Sequence, residues 1–136
     1  MNSMLKYTKV LILLCLGMVV FSSCEQDDET IFDRLIRYGW AGDLGFVDRY
    51  GEPLESGLLL NGNGFGTDEQ CYFDDPNHIV SSLPLRWMIN DGILSLDYGN
   101  NYPLIEIYDV YISSDELSGI LYVDGYRDGP VTLYAY

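Results

Sequence analysis

Basic residues are scarce in this chain of 136 residues: two lysines and five arginines stand against twenty-one aspartates and glutamates, a formal net charge of −14. Lys6 and Lys9 both fall in the first nine residues. Beyond them, five arginines face all twenty-one acids, a net charge of −16. A surface of that sign repels phosphate backbones and anionic headgroups, which excludes nucleic-acid binding by charge attraction. Histidine occurs once, at His78, and cysteine three times, at Cys15, Cys24 and Cys71. That inventory excludes a disulfide framework and the usual zinc spacings. No apolar run reaches the roughly 20 residues of a membrane-spanning helix. Gly-x-Ser-x-Gly and phosphate-loop patterns are also missing, so neither a catalytic group nor a cofactor or metal is expected.

Glycine and aromatic residues are plentiful: fourteen Gly, twelve Tyr and two Trp. Aromatic side chains suit a pleated, half-buried surface and glycine supplies corners, a composition that predicts a twisted antiparallel β protein. The hydrophobic pattern agrees, with one exception at its start. Thr30-Ile31-Phe32-Asp33 weakly fits a helix-capping pattern and predicts a short helical turn over 31–36. From there the period is two. In "IRYGWAGDLGF", Ile36, Tyr38, Trp40, Leu44 and Phe46 share one face, which predicts a long half-buried strand. "LPLRWMIN" places Leu83, Leu85, Trp87 and Ile89 together. Asp91-Gly92 then predicts a tight hairpin, because its favoured turn needs positive φ at both central positions.

Two strands are expected between Leu58 and Asp74, interrupted near "NGNGFG". The alternation in "YPLIEIYDVYI" changes face, with Ile105 and Ile107 on one side and Tyr108, Val110 and Ile112 on the other, so a bulge or bend is expected near Tyr108. "SSDE" closes a turn, "LSGILYVD" is a strand, "GYRDGP" a loop and "VTLYAY" the last strand. Turn signals every 8 to 12 residues predict an all-β, small antiparallel up-and-down barrel of seven or eight strands, with a β-sandwich as the alternative.

The N-terminus has a different character. "MNSMLKYTK" carries two lysines and no acid, and "VLILLCLGMVVF" is uninterruptedly apolar, the layout of an export signal. Phe21-Ser22-Ser23-Cys24 resembles the bacterial lipobox, which implies cleavage before Cys24 and acylation of that residue. The acidic run Glu25 to Glu29 resembles the signal by which Bacteroidetes lipoproteins reach the outer face of the outer membrane. An acidic linker hanging into the periplasm is the alternative. The expected organisation is therefore a signal peptide over 1–23, a lipidated cysteine with a solvated acidic tether over 24–33, and a barrel domain over 34–136.

Gly39-Trp40 on the first long strand, "Gly-x-Gly-Phe-Gly" on the second, Trp87 feeding the Asp91-Gly92 hairpin and the "ISSDELSG" turn together resemble the lipocalin-like small lipoproteins of Bacteroidetes. The resemblance covers roughly residues 35–136. It implies a calycin-like barrel that binds rather than catalyses, with a small apolar ligand or a glycan as partner. Tyr38, Trp40, Phe46, Leu85 and Trp87 are the expected lining of the barrel interior, being core residues first and pocket lining second. The alternative is a solid barrel whose exposed tyrosines dock on another envelope protein.

Other chemistry-bearing residues have plainer readings. Cys71 is expected as a buried thiol and His78 as a loop histidine rather than as a nucleophilic pair. Residues 61–69, "NGNGFGTDE", lack the alternating carboxylates of a calcium loop and read as a hairpin. Asp124 and Asp128 in "DGYRDG" are explained by turn formation.

Overall fold

A computed structural model describes residues 26–136. The signal-peptide and Cys24 assignments lie outside the described residues. Among the described residues, one helix, α1 (Asp28–Leu35), precedes eight strands: β1 (Trp40–Gly42), β2 (Leu54–Leu60), β3 (Phe65–Tyr72), β4 (Asp75–Asn90), β5 (Ile93–Asp97), β6 (Ile105–Ser113), β7 (Glu116–Val123) and β8 (Tyr126–Ala135). Each strand pairs antiparallel with the next, and β1 pairs with β8, so the sheet closes into an up-and-down barrel. Closure gives every strand a neighbour on both sides, which shortens the rows of unpaired backbone groups that invite aggregation.

Two-residue turns set much of the register. Asp91 and Gly92 both have positive φ, 54° and 74°, and join β4 to β5 as the sequence predicts. A second such turn, Asp124-Gly125, joins β7 to β8. The expected loop over "GYRDGP" is corrected accordingly: Tyr126 to Pro130 belong to β8, and an irregularity opposite Leu121 and Tyr122 absorbs the extra residue. The bulge expected near Tyr108 is present. Tyr108 pairs with Ile120 but Tyr111 with Ser118, and Asp109 takes φ of 53°. One extra residue restores the phase, so Ile105 and Ile107 before it and Val110 and Ile112 after it all point into the core.

The barrel closes through only three residues of β1, and the C-terminus reinforces that seam. The Tyr136 N–H donates to the Gly39 carbonyl at 3.0 Å. Its ring lies over Gly39 and Gly57, where a Cβ on Gly39 would approach ring carbon Cζ to 2.5 Å. Glycine is required there by that close approach.

Helix α1 is the element the sequence placed least well. It begins at Asp28 rather than at residue 31, and Asp27 caps it by accepting the Thr30 N–H at 2.8 Å. Asp28 and Glu29 favour the first turn and Arg34 the last, matching the helix dipole. Ile31 and Leu35, four residues apart, are fully buried against the barrel, and Phe32 stacks on Trp87 with ring centroids 5.1 Å apart. Burial of each of the two aliphatic side chains contributes about 1.5–3 kcal/mol. The helix thereby plugs one end of the barrel.

The presence of the plug corrects two expectations. The residues assigned to a solvated tether and a separate barrel beginning at 34 form one unit: Asp27 and Glu29 are exposed, but the segment from Gln26 onward is docked. The long strand expected over residues 36–46 shrinks to Trp40–Gly42, because Ile36 caps the helix and residues 37–39 carry the chain around the barrel end. The region read as a loop around His78 falls within β4, where residues 76–78 form an exposed irregularity between the pairs Tyr72↔Asp75 and Cys71↔Ile79.

Candidate functional site

The five residues expected to line the interior separate into three groups. Trp40, Leu85 and Trp87 are buried in the core beneath the plug. The Trp40 indole N–H donates to the Leu35 carbonyl at 3.1 Å, and the Trp87 indole N–H to the Asn61 carbonyl at 2.9 Å. Both indoles therefore bind structure at the closed end. Tyr38 does not enter the interior: it is 44% exposed and packs edge-on against Trp40 from outside. Its placement on the inward face failed because the strand that would have carried it is not formed. Phe46 lies at the opposite end, in a cluster with Tyr98 and Tyr102.

Above the plug, Leu58, Leu94, Leu96, Ile107, Leu117 and Leu133 are without exposure and fill the barrel section. The packing changes character toward the far end, where Ser56, Asp68 and Gln70 are the buried polar residues. The Asp68 carboxylate accepts four hydrogen bonds: from the Gly57 N–H at 3.1 Å on Oδ1, and on Oδ2 from Ser56 Oγ at 2.9 Å, Gln70 Nε2 at 3.2 Å and the Tyr98 hydroxyl at 2.8 Å. Burial pushes the Asp68 pKa up, against the opposing pull of its donors. Burial also drives the Tyr98 phenol far upward, reinforced by the Asp68 charge beside it.

This cluster is invisible in the sequence. Strand β3 reads Gly66, Thr67, Asp68, Glu69, Gln70, with polar residues on both faces, so alternation cannot tell which side is inward. The pairing of Asp68 with Leu58 on β2 decides it.

Gln70 alone of this cluster reaches the lining of an open cleft of about 460 Å³ at the barrel mouth, and its amide donates to the buried Asp68 carboxylate behind it. Phe46, Tyr50, Tyr72 and Tyr102 contribute aromatic surface, with Arg49 and Gln70 among the polar lining. Asp48 organises the loop above the mouth. One oxygen accepts the Tyr50 and Glu52 N–H groups at 2.8 and 2.9 Å, and the other accepts the Tyr72 hydroxyl at 2.6 Å. The Tyr72 hydrogen bond holds the Asp48 carboxyl below its ordinary range. Arg49 lies over the Tyr50 ring, 4.8 Å from its centroid.

The remaining candidates are structural. Cys71 is buried, as expected, and burial raises its thiol pKa. His78 is exposed within β4, 4.0 Å from Asp75. Residues 61–65 form the β2–β3 turn, closed by the Asn61 N–H to the Phe65 carbonyl. Asp124 accepts the Leu104 N–H at 2.8 Å, tying two loops together at the mouth.

The buried phenol makes an alkaline prediction. Tyr98 stays neutral in the fold at pH values where an unfolded tyrosine, near pKa 10, has ionised. Its contribution to stability is complete below about pH 10 and is lost as pH rises further, at up to about 1.4 kcal/mol per pH unit. Urea unfolding between about pH 9 and 11.5 should show the steep decline, and Tyr98→Phe should flatten it by one proton's worth of slope.

The architecture is a closed eight-stranded antiparallel barrel, sealed at one end by a helix and open at the other. In comparisons with known proteins, the chain matches no family model, no curated protein and no solved structure.

Proposed function

We propose that this chain is a lipoprotein of the lipocalin-like Bacteroidetes type, anchored in the outer membrane through acylated Cys24 and exposed at the cell surface, whose barrel is a non-enzymatic binding module for a small glycan. The observation that carries the reading is the mouth cleft, with aromatic walls and the hydrogen-bonded Gln70 amide in its lining, above a filled core. Aromatic faces stack on sugar rings at small entropic cost, and fixed polar groups select hydroxyl patterns. An apolar ligand within the barrel is disfavoured by the side chains that occupy that space. Asp68 supports binding over catalysis, because its carboxylate is saturated by four donors. Proteolysis of intact cells distinguishes surface exposure from the periplasmic alternative.

Titration against a library of bacterial and host oligosaccharides should find at least one that binds, and Tyr50→Ala with Tyr102→Ala should weaken it about tenfold, the equivalent of about 1.4 kcal/mol. Tyr126→Ala, outside the cleft, should leave it unchanged. Binding that survives the paired cleft substitution, or no binding anywhere in the library, defeats the glycan reading. The second reading, an interaction subunit of an envelope complex, then gains ground from the tyrosines on β6 to β8. The tilted rings of Tyr108 and Tyr122 meet with centroids 4.3 Å apart, and Tyr126 and Tyr134 are largely exposed.

A further inference from the structure

The start of the described chain is fastened to the barrel by side-chain hydrogen bonds that span large sequence separations. Gln26 imitates a strand residue: its Nε2 donates to the Ile112 carbonyl at 2.7 Å, while its Oε1 accepts the Ile112 N–H at 2.9 Å. Asp28 accepts the N–H groups of Asp91 and Gly92, at 2.7 and 2.8 Å, and so clasps the β4–β5 turn. Arg34 donates to the same Ile112 carbonyl at 2.7 Å. The following turns of α1 bury Ile31 and Leu35 in the core. From Gln26 onward the chain is part of the plug.

Only Glu25 separates Gln26 from Cys24 in the sequence. Two residues of extended chain span about 7 Å. A flexible tether of many residues would let a barrel tumble at any attitude over the membrane, whereas a link this short leaves it little freedom. We propose that the membrane surface is the partner of the plugged end. The acylated chain stands on the bilayer with α1, the β4–β5 turn and the β6–β7 turn toward the lipid, and it holds the mouth and the β3–β4 hairpin away from it.

Charge does not create this contact. Asp27, Asp28, Asp91 and Asp109 border the groove beside Gln26, so the proximal end repels anionic headgroups, and the covalent link imposes the proximity. The strands of a tilted barrel of this size put the two ends about 20 Å apart. A ligand arriving from solvent therefore meets an unobstructed cleft. This orientation rests on the lipid-anchor reading proposed for Cys24, but not on the glycan reading.

The test uses the full-length protein purified from a lipoprotein-processing host and inserted into phosphatidylcholine vesicles containing headgroup-nitroxide lipid. A fluorophore is placed at Asp115→Cys, exposed at the plugged end, or at Asn100→Cys, exposed at the mouth, with Cys71 buried. Quenching should be at least threefold stronger at residue 115 than at residue 100. Ten Gly/Ser residues inserted between Glu25 and Gln26 should erase most of that difference. Equal quenching at the two sites in protein whose intact mass shows the acyl chains overturns the orientation alone. An intact mass without acyl chains overturns the anchor and the orientation with it.

Discussion

Replacing Asp68 with alanine should destabilise the fold by about 3–5 kcal/mol, a large share of the 5–15 kcal/mol typical of a whole domain. The carboxylate is the common acceptor of Ser56, Gly57, Gln70 and Tyr98. Its removal leaves four donors near the barrel mouth without that partner, and those that water cannot reach bear the full desolvation penalty. Asp68→Asn should cost less, about 1–3 kcal/mol. The amide oxygen can take over the three donors on the Oδ2 side, but its NH₂ group then faces the Gly57 N–H, and donor meets donor. Urea unfolding near neutral pH measures both.

The two variants also differ from wild type in pH response. Burial raises the Asp68 pKa above 3.8, so the folded protein binds this proton more tightly than the unfolded chain. The group's contribution is complete below about pH 4 and declines as pH rises through the folded pKa. Asp68→Asn should remove that component from the stability profile. Asp48, whose pKa is lowered by Tyr72, acts in the opposite sense and loses its contribution as pH falls.

Replacing Trp40 with alanine should cost about 3–5 kcal/mol through loss of a fully buried side chain. The effect is concentrated at the plug, because the indole packs in the core and holds the last carbonyl of α1. Hydrogen exchange should therefore accelerate in α1 and at the β1–β8 seam more than in β3 and β4. The neighbouring Tyr38→Ala is the control. With its ring on the outside, it should stay within about 0.5 kcal/mol of wild type. Comparable losses at the two positions would contradict the division between a core Trp40 and a surface Tyr38.

These residues also show how far local reasoning reaches. Leu83, Leu85, Trp87 and Ile89 announce their shared face by alternation, and Asp91-Gly92 announces the hairpin that follows, since both signals reside in neighbouring residues. The phase break in β6 was legible for the same reason: five apolar positions that cannot share one face of a regular strand require an extra residue. Helix α1 was only half legible. Its apolar spacing, Ile31 and Leu35, is visible, but its cap lies inside an acidic run that reads equally well as a solvated leash. Tyr38 was misplaced because alternation continues through a segment whose path is set by the helix packed before it.

The sequence by itself determined the class of fold: an antiparallel β architecture of seven or eight strands, most of its turns and the bulge follow from local periodicity and turn conformation. The closed end, the open end and the buried carboxylate between them were decided only by tertiary structure. Gln26 meets Ile112 across 86 positions, Asp28 meets Gly92 across 64, and Tyr98 meets Asp68 across 30. Polar side chains find such partners only once the barrel has closed, and no local pattern records which of twenty-one acids will be enclosed when it does.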